Sequence, residues 1–209
     1  MKLYIGNRNY SSWSFRPWIA MRVAGIPFEE ELVPFDDHGN EAFRAFSPTG
    51  KVPVLKNGYV TVWESLAIIE YLADRHEQLW PQDRALRAEA RAISAEMHAG
   101  FSAMREECPM NMRRERRAID ISEKARADVA RIAVLWHAAL SRSGGPFLYG
   151  EFTAADAMYA PVVNRFDVYR LTESPLLLGY MERVKALPAY REWEAESRRE
   201  PWVVPDEEV

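Results

Sequence analysis

Apolar positions along the chain change their period once, near residue 80, and that change predicts the organisation. Residues 2–5, KLYI, read as a short strand, and Phe15, Ile19 and Val23 then recur at helical spacing until Gly25. PFEEELVPF, residues 27–35, sets Phe28 and Leu32 among acids and ends at a proline, which predicts a second strand. VPVLKNGYVTV, residues 52–62, holds two β-branched runs about Asn57-Gly58, a dipeptide suited to a hairpin turn. ESLAIIEYLADRH then returns to helical spacing, with Leu66, Ile69 and Leu72 to Ala73 on one face. Strand, helix, strand, hairpin and helix call for a small mixed sheet with helices packed on it. LWPQDR, residues 79–84, reads as a linker, and strand signals largely cease after it.

Helical patterns cover roughly 84–107 and 121–142, the second ended by Gly144-Gly145-Pro146. Thr153-Ala154-Ala155-Asp156 opens another helix with a capping box in its acidic form. Two shorter helices follow around 176–187 and 189–198, separated at Pro188. The expected fold class is α/β plus all-α: an N-terminal domain over 1–78, a linker over 79–84 and a helical domain over 85–209.

Composition narrows the function. With 209 residues, 48% of them hydrophobic, the chain can bury a core, and a formal charge of −4 gives no global basic field, so no nucleic-acid partner is expected. The basic run Arg113-Arg114-Glu115-Arg116-Arg117 reads as the solvated face or end of a helix. A single cysteine, Cys108, excludes an intrachain disulfide, fits a reducing cytoplasm and reads as a small packed residue. No run approaches the ~18 apolar residues of a membrane span, and the N-terminus lacks a signal-peptide core; a soluble cytoplasmic protein without a membrane partner is expected. His38, His76, His98 and His137 show no metal-ligand spacing, so no metal is expected.

Three stretches carry candidate chemistry. In NYSSWSFRPW, residues 9–18, hydroxyls flank a tryptophan just before the first helical run. Ser14, or Arg16 followed by Pro17 at the first helical position, supplies an ordinary helix start. Ser11 and Ser12 are left in the loop, where the unpaired N–H groups of a helix N-terminus favour an anion. A serine hydrolase does not fit, because GxSxG and SxxK are absent and no histidine is spaced to lie beside the loop. A hydroxyl that donates to a bound thiolate does fit. Pulling a thiol from pKa ~8.5 to roughly 6.5 takes about 2.7 kcal/mol; a hydrogen bond to a charged group contributes ~1.5–3 and a helix N-terminus ~0.3–2.

The second stretch, SPTGKVPVLK at residues 47–56, puts Pro53 at a strand entry, where no ladder donor is needed. Val52-Pro53 is either an ordinary edge-strand pair or a cis bond that presents the Val52 backbone to an extended peptide. In the third, Trp63-Glu64-Ser65, a hairpin passes into a helix, and Ser65 either caps that helix or helps receive a carboxylate.

In this order the three stretches resemble the cytosolic glutathione transferase family over essentially the whole chain. The resemblance implies a thioredoxin-like N-terminal domain followed by an all-helical GST C-terminal domain, with a short helix near 40–46 that periodicity does not reveal. It also implies glutathione as co-substrate, a cis Val52-Pro53 bond and a homodimer. SSWSFR resembles the SSCSxR signature of the zeta class, which gives Ser11 the thiolate-stabilising position with Ser12 and Trp13 beside it. Val52 would pair with the cysteinyl backbone, Glu64 and Ser65 would hold the γ-glutamyl end, and Lys51 would reach the glycyl carboxylate. GEFTAADAMYAPVV resembles the family's capping-box helix. Tyr10 is a minor rival hydroxyl, and Tyr4 lies inside the first strand.

An electrophile pocket is expected between the domains, against EMHAGFSAMREECPMNM. There Met97, Phe101 and Met104 share a face that is usually core but also suits varied apolar shapes, and Arg105 lends charge. The expected function is thus a glutathione transferase acting on a small, largely apolar electrophile. Alternatives are a zeta-like cis-trans isomerase of the maleylacetoacetate type, in which relatives have cysteine where this chain has Trp13, and a non-catalytic binding protein on the same fold.

Overall fold

A computed structural model describes residues 1–36 and 40–209; His38 lies outside the described residues. Strand β1 (Lys2–Ile5) sits inside a four-stranded sheet of order β2-β1-β3-β4. It pairs in parallel with β2 (Glu29–Leu32), Lys2 opposite Glu29, and antiparallel with β3 (Val54–Asn57), Leu3 opposite Leu55. β2 is shorter than the stretch 27–35 suggests, because Pro27 and Pro34 flank it and bring no ladder donor. β4 (Val60–Trp63) completes the hairpin with Asn57 opposite Val60, so the loop is Gly58-Tyr59, one residue later than expected. Gly58 has φ 59°, the backbone geometry that favours glycine in a tight hairpin.

Helix α1 (Ser12–Val23) follows β1, and α2 (Ser65–Ala73) follows β4. Pro17 lies inside α1 rather than at its start, and the N-cap is Ser11 rather than Ser14. A short 3-10 turn at Glu41–Ala45 occupies the place of the implied extra helix. The segment over 79–84 is anchored, with Leu79 and Trp80 only 3% and 2% exposed.

The helical part contains α3 (Arg84–Ala99), α4 (Ser102–Glu107), α5 (Glu123–Ser143), α6 (Ala154–Val168), α7 (Pro175–Ala186) and α8 (Pro188–Arg199). The single helix expected over 84–107 is broken. Gly100 is extended and a Cβ there would lie 2.8 Å from the Glu96 carbonyl, while Phe101 takes φ 58°. That break turns α4 away from α3 and aims Arg105 at the sheet domain. Proline opens both α7 and α8, where its missing N–H is not needed. None of the described helices is long and apolar enough to cross a membrane.

α1 packs on α6, and the core runs without a break from Leu3 and Phe15 through Met97 to Trp136 and Tyr159. Phe15 also stacks on Trp193 of α8 at 4.8 Å. At the start of α6 the capping box is present, and Asp156 is fully buried. Its carboxylate accepts from Leu148 N (3.0 Å), Thr153 N (2.9 Å), Thr153 Oγ1 (3.2 Å) and the Tyr180 hydroxyl (3.1 Å).

Asp156→Ala strands those donors in a dry site at about 1–3 kcal/mol for each that finds no other partner. Urea denaturation is expected to give a loss above about 3 kcal/mol, with Asp156→Asn recovering part of it through its remaining oxygen. A loss below about 1 kcal/mol for Asp156→Ala would contradict the structural role.

Candidate active site

Two cavities meet at the Trp13 indole. The first, about 270 Å³, is bounded by Trp13 of α1, by Lys51, Val52 and Pro53 ahead of β3, and by Glu64 and Ser65 at the start of α2. His98 of α3 and Arg105 of α4 close it from the helical side. The Val52-Pro53 bond is cis. Ser47 braces the residue before it: its hydroxyl accepts from Lys51 N at 3.0 Å and donates to Lys51 O at 2.6 Å. Glu64 takes φ 67°, a strained value for a residue with a side chain, and its carboxylate is half exposed. Ser65 is 1% exposed, and its Oγ has no partner among the described residues.

The second cavity, about 390 Å³, is lined by Tyr10, Ser11, Ser12 and Trp13, by Arg105 and Arg165, and by the carboxylates of Glu106, Asp206 and Glu207. Ser11 is the N-cap of α1, yet its side chain makes no cap bond. Its hydroxyl donates instead to Ser14 Oγ at 2.7 Å, and Ser14 Oγ accepts from Gly6 N at 3.1 Å, tying the loop to β1. Ser12 Oγ accepts from Arg165 Nη2 at 3.4 Å.

Three arginines stand around the serine loop and the Trp13 ring. Arg16 is wholly buried; its Nε donates to Met158 O and its Nη1 to Ser12 O, both at 2.9 Å, and its Nη2 has no partner among the described residues. The Arg16 and Arg105 guanidinium carbons lie 4.1 and 5.3 Å from the Trp13 ring centroid. Arg165, 4% exposed, donates through Nε to Cys108 O at 2.8 Å and leaves Nη1 unpaired. Burial above all, with repulsion from Arg165 and Arg105, pulls the Arg16 pKa well below the usual guanidinium value. Burial likewise brings Arg165 down to about 10, with Glu207 acting the other way. Beside Ser12 the unpaired Arg165 Nη1 is a donor available to an anion, while the Glu106, Asp206 and Glu207 carboxylates that line the same cavity oppose one elsewhere in it.

The family model for the glutathione S-transferase N-terminal domain matches residues 10–75, and that for the C-terminal domain matches residues 84–196. The chain belongs to the glutathione S-transferase family.

Rat maleylacetoacetate isomerase is 29% identical to it over 182 residues, 83% of this chain and 81% of the relative. The solved structure of a Burkholderia glutathione transferase homolog with bound glutathione is 25% identical, covers 95% of this chain and 98% of its own, and superposes with a TM-score of 0.72. The holo structure of a maleyl pyruvate isomerase, described as a bacterial zeta-class glutathione S-transferase, is also 25% identical, with 98% and 100% coverage and a TM-score of 0.72. These relatives make the protein a glutathione-dependent enzyme.

In this glutathione S-transferase the fold gathers Trp13, Lys51, Val52, Pro53, Glu64 and Ser65 around one cavity, with Ser11 and Ser12 at the adjoining one. Arg105 lines both. Met97 and Met104 are fully buried and Phe101 is 7% exposed; the three pack into the core and line neither cavity. Their stripe faces inward, and Arg105, next along the chain from Met104, emerges on the open side.

Arg16, Arg165 and His98 were not singled out by spacing. Arg165 had a signal available, as an arginine inside the apolar run AMYAPVVNRFDV has to satisfy its charge internally. His98 had none, because only tertiary folding brings it to Trp13.

Tyr10 also lines the second cavity, but its hydroxyl is occupied: it donates to the Glu208 carboxylate and accepts from Arg113 Nη2 at 2.6 Å. Arg113, from the basic run, also donates to Glu200 O at 2.9 Å and Trp202 O at 2.8 Å, so it fastens the C-terminal segment instead of facing solvent. Among the described residues no group of three or more His, Cys, Asp or Glu could hold a metal ion.

Cys108 is fully buried, and burial pushes its thiol up to about 11. A thiol-specific disulfide reagent is expected to leave the folded protein unmodified and to titrate one thiol after unfolding in guanidinium. Rapid labelling of the native chain would show that Cys108 is accessible and reactive.

Proposed function

We propose that the enzyme binds glutathione in the 270 Å³ cavity and keeps its sulfur as the thiolate with the Ser11 hydroxyl. The sulfur then attacks a small electrophile carrying a carboxylate in the adjoining cavity. The observation that carries this reading is the convergence of Lys51, Val52, Glu64 and Ser65 on one cavity that shares Trp13 with an arginine-lined second one.

Each end of the tripeptide has a suitable group. Lys51 pairs with the glycyl carboxylate, and the Val52 backbone pairs with the cysteinyl residue. Glu64 takes the γ-glutamyl ammonium, and Ser65, whose Oγ is unpartnered, donates to the neighbouring carboxylate. Ser11 acts as donor and not as base. Its O–H swings from Ser14 Oγ to the sulfur, while Ser14 keeps the Gly6 N–H. A charge-assisted hydrogen bond of ~1.5–3 kcal/mol lowers the thiol pKa by roughly 1–2 units, and the guanidinium groups nearby add to the same effect.

Sequence alone led to a largely apolar electrophile. The free guanidinium donors of Arg165 and the half-buried Arg105 favour an acidic one instead. Two of the relatives are named for isomerising maleylacetoacetate and maleyl pyruvate, and both names carry an unsaturated acid. That supports a second reading, a cis-trans isomerisation: the thiolate adds to the double bond, the resulting single bond rotates, and the thiolate leaves, so that glutathione is regenerated. Trp13, in the cysteine position of the zeta signature, is the feature that separates the two reactions.

Ser11→Ala is expected to lower kcat/KM about 10- to 100-fold and to weaken the ultraviolet thiolate band of the bound complex at neutral pH. Ser12→Ala is expected to do less. If Ser12→Ala alone abolishes turnover, the donor is Ser12; if neither matters, the hydroxyl mechanism is wrong. An acidic electrophile is expected to react at least about tenfold faster, in kcat/KM, than its methyl ester, and Arg165→Met to narrow that ratio. An ester that reacts as well as the acid would refute the anionic pocket.

A further inference from the structure

His98 lies in the last turn of α3 and enters the glutathione cavity from the helical domain. Its ring meets Trp13 edge-on, with centroids 5.3 Å apart and planes at 72°. Its Nε2 stands 3.6 Å from Glu64 Oε2, and its Nδ1 is buried without a partner among the described residues. The charged groups around it are Glu64 at the start of α2, Arg16 from α1 and Arg105 from α4, and Lys51 lines the same cavity.

We propose that His98 is a positioning residue that makes glutathione binding depend on pH through Glu64. While neutral, it leaves the Glu64 carboxylate to the γ-glutamyl ammonium. Once protonated, it draws that carboxylate to itself and repels the ammonium. This rests on the reading above that Glu64 receives the γ-glutamyl end.

The sign follows from linkage. Burial first, then Arg16 and Arg105, lowers the His98 pKa from its ordinary value, against the pull of Glu64, so the ring is neutral at pH 7. An ammonium arriving at Glu64 disfavours the imidazolium further, so binding lowers the His98 pKa again and releases a proton. Affinity is therefore full above the His98 pKa and falls as pH drops through it.

The probe is S-methylglutathione, which keeps both ends of the tripeptide and has no thiol to titrate. Calorimetry of the native protein is expected to show Kd rising about three- to fivefold from about pH 7.5 to about pH 5, the scale of a partly exposed ion pair. His98→Gln is expected to bind with nearly the same Kd at both values. Glu64→Gln is expected to bind more weakly and to lose the pH dependence.

A His98→Gln protein that keeps the native pH dependence, or a native Kd that does not change, overturns the proposal while leaving the glutathione site intact. No binding of the probe at either pH overturns the site itself. If His98→Gln does not fold, the native protein still decides the question. Proton release on binding as the pH is lowered over that same range, measured in two buffers of different ionisation enthalpy, supports the proposal, and proton uptake or no exchange refutes it.

Discussion

A guanidinium with no access to solvent joins the two halves of this protein where their chemistry meets. Arg16 leaves α1 sideways, returns one hydrogen bond to the Ser12 carbonyl and sends another to Met158 of α6. An unpaired buried charge is costly, and such a group survives only where acceptors and polarisable surface surround it. Here two carbonyls and the Trp13 ring meet that need, and among the described residues no carboxylate pairs with it. The charge is left over, beside Ser12, with Arg165 and Arg105 close enough to repel it. The serine loop is thus held in shape by a group whose field also favours a negative sulfur or carboxylate nearby.

The rest of the site depends on that anchored helix start. Ser14, which looked like a cap, belongs to the brace: it takes the Ser11 hydroxyl and the Gly6 N–H, fixing the loop against β1. On the far side, the break at Gly100 and Phe101 lets α4 depart from the line of α3 and bring Arg105 over the same indole. Each contact is modest, but together they leave the loop few other conformations, as a site needs if its donors are to be oriented before the ligand arrives.

Much of the fold could be read in the sequence, because periodicity and punctuation act locally. KLYI, the hairpin glycine and the Thr153–Asp156 box each announce an element through residues that are neighbours in the chain. The errors also have local causes. Pro17 suggests a helix start, but the helix begins at Ser12 and runs through the proline; a continuous pattern over 84–107 conceals a glycine that must approach the Glu96 carbonyl closely. The cavity around Val52, Glu64 and Ser65 was accessible only through motif order. The roles of Arg16, Arg165, His98 and Arg113 were not, since each depends on partners dozens of residues away. An amphipathic stripe such as Met97, Phe101 and Met104 fits a core and a binding wall equally well, and here it fills the core.

Trp13 is a party wall between two cavities, and on the proposed reading one is the room for the thiol donor and the other the room for its reaction partner. A residue change there cannot be confined to one tenant. Divergence toward new acceptor molecules through position 13, or through Arg105, would therefore drag recognition of the tripeptide along with it, whereas divergence through Arg165, which borders the second chamber alone, would leave the first undisturbed. That asymmetry marks where a lineage built on this scaffold has freedom to vary and where it does not.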